Sequence, residues 1–281
     1  MTSSKKTLAI ALAALLALAA VGGSLFVGLG IYDVAANSPH TQPVYSLLEL
    51  AMNRSVRQRA ARIQAPPLES PQLVARGALC FRDKCVQCHG GPGTAPGDIG
   101  RSMQPLPGPL VDARGRWSAS EMYWITRHGI TMSGMPAWQH RLRDEDLWAV
   151  VAFMQRLPDL NVRDFNQLAG AQVPGRCEAP ASNALTQETG NAARGRAALT
   201  QYGCNTCHRI PGITGSDVHV GPPLAGMATR QLIAGRLPNT PEQMARWLKD
   251  PQAVDPETAM PKLQLTDTDA ADIAAYLATL R

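Results

Sequence analysis

Two copies of the pattern Cys-x-x-Cys-His, Cys85-Val86-Gln87-Cys88-His89 and Cys204-Asn205-Thr206-Cys207-His208, stand 119 residues apart and constrain this chain more than any other feature. The sequence around them repeats. Each motif closes a predicted helix, Pro71–Lys84 with Gly77 and Phe81 in the first copy, 191–202 with Gly195 and Leu199 in the second. A Gly/Pro-rich loop, a short helix, a Met-Pro pair and a last amphipathic helix then follow in each. These are 117–128, Met135-Pro136 and Asp144–Arg156 in the first repeat, and Pro241–Lys249, Met260-Pro261 and 267–280 in the second. Thr240-Pro241-Glu242-Gln243 reads as a helix start, with a Thr cap and Pro at the first helical position, and 266–269 reads similarly. Gly129 is placed to stop the helix before it. Strand signals are almost absent, and 159–190 lacks periodicity and reads as a linker. The expected fold is all-α, with two tandem small helical domains, 72–165 and 190–281, joined by a linker over 166–189.

Cysteines three apart place both thiols on one helical turn, and the adjoining histidine lies beside them. Two thiols for thioether bonds and one imidazole for iron make this the attachment pattern of a c-type haem. Zinc or thiol redox chemistry would use the cysteine pair but would explain neither the histidines nor the repeat. Two covalently bound haems c are therefore expected, with Cys85, Cys88, Cys204 and Cys207 as attachment points and His89 and His208 as iron ligands. The Met-Pro pairs, 46 residues after His89 and 52 after His208, supply the sixth ligands Met135 and Met260. In the first repeat Met132 and Met103 compete with Met135. A neutral thioether favours ferrous iron, so such ligation raises the reduction potential.

On these motifs both repeats resemble class I cytochrome c domains. The resemblance is closer in the second repeat, where Gly221-Pro222-Pro223-Leu224 looks like the loop whose proline carbonyl accepts a hydrogen bond from the iron-bound histidine. It implies that Pro222 orients His208, that Trp247 contacts a haem propionate, and that Tyr276 lies on the helix packed against Gly195 and Leu199. The first repeat departs from the pattern. Pro107-Gly108-Pro109-Leu110 has glycine at the aligned place, leaving Pro107 or Pro109 to substitute. Among the remaining candidates, His128 and His140 could ligate iron but read rather as surface or supporting side chains, and His219 as a residue of the haem edge. Arg127 and Arg230 are candidate propionate partners, or plain solvated arginines. Cys80 and Cys177 either pair as a disulfide, stapling the linker to the first domain, or remain inert thiols.

The N-terminus settles where such domains would work. Lys5 and Lys6 precede an uncharged apolar stretch over 7–32, 26 residues long. A secretory signal carries about 7–15 apolar residues, whereas a bilayer span takes about 20. A retained membrane anchor over 1–33 is therefore expected. A cleaved signal is the second reading, because Ala17-Leu18-Ala19 and Val34-Ala35-Ala36 fit cleavage sites. Residues 33–53 contain no Lys or Arg, so the positive-inside rule leaves the N-terminus in the cytoplasm and the rest in the periplasm. Residues 34–71 read as a juxtamembrane linker with a helix over 44–64. Its arginines, Arg54, Arg57, Arg59 and Arg62, suit either a solvated connector or a surface that docks on lipid or a partner. Of the net charge of +5, a surplus of three comes from residues 1–71, with 6 basic and 3 acidic residues. No basic–aromatic stripe suggests nucleic acid.

The expected protein is a tethered di-haem cytochrome of the inner membrane. It would pass single electrons between respiratory partners such as a terminal oxidase, a dehydrogenase or other cytochromes, and would not itself be an enzyme. The rival is a di-haem peroxidase-type enzyme, which needs one iron with a displaceable ligand.

Overall fold

A computed structural model describes residues 3–171, 177, 190–215 and 217–281. It is mostly helical. Helix α1, Ser3–Gly28, carries Lys5 and Lys6 in its first turn and no charge beyond them, and its segment Ser4–Gly28 is long and apolar enough to cross a membrane, with none of it buried. Helix α2, Gln42–Ala60, buries Val56 and Ala60.

The first repeat contributes α3 (Pro71–Lys84), α4 (Val86–His89), α5 (Asp98–Arg101), α6 (Ala113–Arg116), α7 (Ala119–His128), α8 (Asp144–Arg156) and α9 (Val162–Ala169). Helix α2 packs on α7, and Glu49 pairs with Arg116 at 2.5 Å while Ser120 Oγ donates to the Ile63 carbonyl at 2.8 Å. The connector is thus docked on the first domain, which the sequence left open. Helix α7 starts two residues later than expected, because Ser118 and Glu121 form a reciprocal cap. Gly129, at φ 66°, ends it as expected.

Helices α3 and α8 cross so closely that a Cβ on Gly77 would lie 1.9 Å from the Ala149 carbonyl oxygen. Only glycine permits that approach. Beside it, Arg76 Nε donates at 2.6 Å to Asp146, which is fully buried. Phe81, Phe153 and Phe165 fill the space behind, with ring centroids 5.0–6.2 Å apart.

Phe165 belongs to α9, a helix inside the stretch 159–190 that lacks periodicity in the sequence. That reading needs correcting at its start. Eight residues are too few to show a helical period, yet Asn161 caps the helix through Asp164, and Phe165 and Ala169 anchor it on the first core. Farther on, Cys177 is bonded to Cys80 on α3. The rest of the expected linker, 172–176 and 178–189, lies outside the described residues.

The second repeat is smaller, with α10 (Ala192–Gln201), α11 (Pro241–Lys249) and α12 (Asp267–Leu277). A short antiparallel pair, β1 (Leu232–Ile233) and β2 (Leu237–Pro238), is its strand content among the described residues. Helices α10 and α12 repeat the crossing of α3 and α8. A Cβ on Gly195 would lie 1.9 Å from the Asp272 carbonyl oxygen, and the preceding Arg194 donates through Nε at 2.6 Å to the buried Asp272 carboxylate. An Arg-Gly pair on the first helix and a buried Asp on the last therefore define both domains. A buried carboxylate needs such a partner, because leaving it unpaired costs several kcal/mol.

Candidate haem centres

Each motif is built as a turn at the end of the first domain helix. In the first repeat the N–H groups of Cys88 and His89 both donate to the Cys85 carbonyl, at 3.1 and 2.9 Å. In the second, Cys207 and His208 donate to the Cys204 carbonyl at 3.3 and 3.0 Å, after a left-handed Gly203 at φ 71°. One turn thus gathers two thiols and an imidazole in each domain. Burial pushes the Cys85 thiol up to about 12 and the Cys204 thiol up to about 11, each with a further push from the second cysteine of its pair. Neither of these two thiols is activated as a thiolate. Among the described residues no three His, Cys, Asp or Glu side chains gather as a separate metal site.

The two histidines are oriented alike. His89 Nδ1 lies 2.8 Å from the Gly108 carbonyl oxygen, and His208 Nδ1 lies 2.7 Å from the Pro222 carbonyl oxygen. A carbonyl only accepts, so Nδ1 carries the proton in both rings and Nε2 keeps its lone pair. Pro222 thus stands where the sequence placed it. In the first repeat the partner is neither Pro107 nor Pro109 but Gly108. The bond uses a backbone oxygen, which any residue supplies, so proline identity was the wrong signal to follow.

Close backbone approach completes each turn. A Cβ on Gly221 would lie 2.4 Å from His208 Cε1, so the loop behind that ring requires glycine. The loop is held by Gly221 N–H to the Cys207 carbonyl and Leu224 N–H to the Arg209 carbonyl, at 2.8 and 2.9 Å. Helix α5 presses on the first motif in a comparable way, since a Cβ on Gly100 would lie 2.6 Å from the Cys88 carbonyl oxygen.

Both expected methionine ligands are half-buried and sit on pinned turns. Met135 N–H donates to Ser133 Oγ and Met260 N–H to Thr258 Oγ1, each at 3.3 Å. Gln252 Nε2 also donates to the Met260 carbonyl at 2.6 Å. The hydroxyl two residues before each Met-Pro is legible in Ser133-Gly134-Met135-Pro136 and Thr258-Ala259-Met260-Pro261, but sequence reasoning passed over it. Met132 is 93% exposed and points away from the domain. The Met103 sulfur lies against Gly134, 3.1 Å from where a Cβ would sit, so Met103 stays close to the Met135 turn.

The remaining candidates divide. Trp247 is buried on α11 within the second core. Tyr276 donates to the Pro211 carbonyl at 2.8 Å, tying α12 to the segment after the second motif. Arg127 pairs with Asp144 and donates to the Tyr123 hydroxyl. Arg230 donates to the carbonyls of Pro223 and Ala225, at 2.7 and 3.1 Å, and so braces the loop that carries Pro222. His128 is exposed beside Trp124, and partial desolvation of the ring, then Arg127, holds its imidazole below the ordinary range. His219 is exposed, 3.6 Å from Asp217. His140 lies against Asp269 and the Tyr202 ring, at the contact between the domains.

Two thiols on a turn, an imidazole with a free Nε2, a loop pressed against the turn and a methionine on a pinned loop form a donor set that fits haem c in each repeat. A tandem of two small helical domains carrying this set is the architecture of a c-type cytochrome. Comparison with known families agrees. Residues 72–154 match the family described as cytochrome C oxidase, cbb3-type, subunit III, and residues 192–281 match the family cytochrome c. The chain therefore carries two cytochrome c domains in tandem, consistent with a di-haem class I c-type cytochrome. It is also similar to a cytochrome c oxidase subunit 2 from Alkalihalophilus pseudofirmus, 32% identical over 89 residues. That match covers 31% of this chain and 25% of the relative, so the chain spans about a quarter of that protein's length. No solved structure matches.

Proposed function

We propose that this chain is a membrane-tethered di-haem cytochrome c that passes single electrons between respiratory partners and is not itself an enzyme. One haem c would be bound by Cys85 and Cys88 with His89 and Met135 at iron, the other by Cys204 and Cys207 with His208 and Met260. Such a group would supply one-electron exchange at its iron. The protein's part is to hold it. Thioether bonds from the cysteines prevent its loss, and the Gly108 and Pro222 carbonyls keep each imidazole in the tautomer that presents Nε2 while raising its basicity. Met135 and Met260 favour the ferrous state. Trp247, buried on α11, would contact a propionate, as the resemblance implies. The observation that carries this reading is the matched carbonyl-held histidine in both motifs.

Helix α1 would anchor the chain in the inner membrane, with its N-terminus in the cytoplasm and both domains in the periplasm. The Cys80–Cys177 disulfide supports an oxidising compartment. Two matches whose descriptions name oxidase subunits favour a terminal oxidase as partner over a dehydrogenase or another cytochrome. Pyridine haemochrome analysis of the purified chain should give two haems c per chain, and one or none would overturn the reading. Co-purification in mild detergent should bring an oxidase with it. A peroxidase-type enzyme would instead lack the Met-to-ferric-iron absorption band at one haem.

A further inference from the structure

A partly buried polar cluster lies between the two repeats. His140 follows Met135 by five residues, in a segment held to α7 by Trp138 N–H to the Thr126 carbonyl and Gln139 N–H to the Arg127 carbonyl, both at 3.2 Å. On the other side, Tyr202 caps α10 two residues before Cys204, and Asp269 lies in the first turn of α12. His140 Nδ1 stands 3.3 Å from Asp269 Oδ1, while the Tyr202 hydroxyl and Thr266 Oγ1 donate to Asp269 Oδ2 at 2.7 and 2.8 Å. The Arg141 guanidinium covers the Tyr202 ring at 4.4 Å from its centroid. The His140 and Asp269 side chains each keep only 14% of their exposure.

The polar and ring contacts between the domains converge on these residues. No pair of helices packs extensively across the boundary among the described residues. Domains so connected move relative to one another by default unless specific contacts hold them. These contacts are specific: a largely shielded carboxylate bonded from both domains, and an exposed arginine whose guanidinium covers an aromatic face. Their position gives them a consequence. One side of the cluster is continuous with the Met135 turn and the other with the Cys204 turn, so it holds one haem site against the other. Electron tunnelling weakens steeply with separation, so whatever fixes that separation governs exchange.

We propose that His140 and Arg141, docked on Tyr202 and Asp269, form a joint that sets the distance between the two haem sites and so controls electron exchange between them. All four are positioning residues and touch no reacting atom. The inference rests on the di-haem reading above. The test uses the full-length chain in detergent micelles, with haem content and Met-to-iron absorption recorded first. Pulsed electron paramagnetic resonance then reads the separation of the two ferric haems, and photoreduction reads internal electron redistribution. His140→Ala and Arg141→Ala, both in a loop of the first domain, and Asp269→Asn should each shift the docked-to-undocked ratio about tenfold or more. A second, longer separation should appear, and the fast phase of redistribution should lose most of its amplitude, at unchanged haem content and unchanged single-haem potentials. His140→Gln, which keeps a donor facing Asp269, should recover part of both. A single, unchanged separation and rate in all three variants, with two haems bound, overturns the joint alone. Fewer than two haems in the unaltered chain overturns the reading beneath it.

Discussion

At the scale of single residues, the two centres depend more on backbone placement than on side-chain identity. The carbonyls of Gly108 and Pro222 do the same work, although one residue is glycine and the other proline. Gly221 matters because nothing larger fits behind His208. Gly221→Ala would put a Cβ within 2.4 Å of Cε1, so the loop must retreat and the hydrogen bond from Nδ1 must lengthen or break. The expected outcome is a higher potential at the second haem, because the imidazole loses the bond that strengthens its donation to iron, and a domain weaker by about 1–3 kcal/mol, read by redox titration and chemical unfolding. Met260→His tests the sixth ligand directly. Exchanging a neutral thioether for imidazole should lower that haem's potential by a sizeable part of the ~0.8 V range that axial ligands command. An unaltered titration curve would point to a different ligand.

At the scale of elements, the two crossings of first and last helix are the framework on which each motif hangs. Helices α3 and α10 end in the haem-binding turns, and α8 and α12 lock them through Gly77 and Gly195. Neither glycine can take a side chain, because a Cβ would fall 1.9 Å from a carbonyl oxygen on the facing helix. Gly77→Ala should therefore destabilise the first domain, and Gly195→Ala the second, by about 3 kcal/mol or more each, as overpacked crossings do. Gly108→Ala serves as the control, since a Cβ there meets nothing within 4 Å and leaves the carbonyl in place. Chemical denaturation of the haem-loaded variants separates these outcomes.

At the scale of the whole molecule, three ties organise the chain. The disulfide from Cys80 to Cys177 spans 97 residues, so replacing both cysteines by serine should cost about 2–4 kcal/mol. Unfolding curves with and without reductant check this. Helix α1 is the second tie. The protein should remain in the membrane fraction through a salt wash, and recovery in the soluble fraction with a shortened N-terminus would show a cleaved signal instead. The third is the contact around Asp269. Burial alone would raise its carboxyl, yet hydrogen bonds from His140, Tyr202 and Thr266 hold it below the ordinary carboxylate range. A depressed carboxyl stabilises above its ordinary range and loses that contribution as pH falls through its lowered value. With His140, Tyr202 and Thr266 bonded to it and Arg141 over the Tyr202 ring, the domain contact should hold at neutral pH and open only in strong acid, as small-angle scattering can follow.

The sequence by itself determined that two cytochrome c domains follow one another and where most of their helices run. Cys-x-x-Cys-His, the Met-Pro pairs and the helix caps are local signals, legible because each depends on residues a few positions apart. It did not reveal α9, whose eight residues are too few to show a period. It also pointed to proline where the structure uses the carbonyl of Gly108, because a backbone oxygen leaves no mark on residue identity. Only the tertiary structure paired Cys80 with Cys177, set Arg76 on Asp146 and Arg194 on Asp272, and moved His140 from the surface to the boundary between the domains. Each of these joins residues 70 or more positions apart, and no local pattern of charge or polarity records which distant partner a side chain will meet. The motifs could thus be read along the chain, but the relation between the two sites depends on contacts made only on folding.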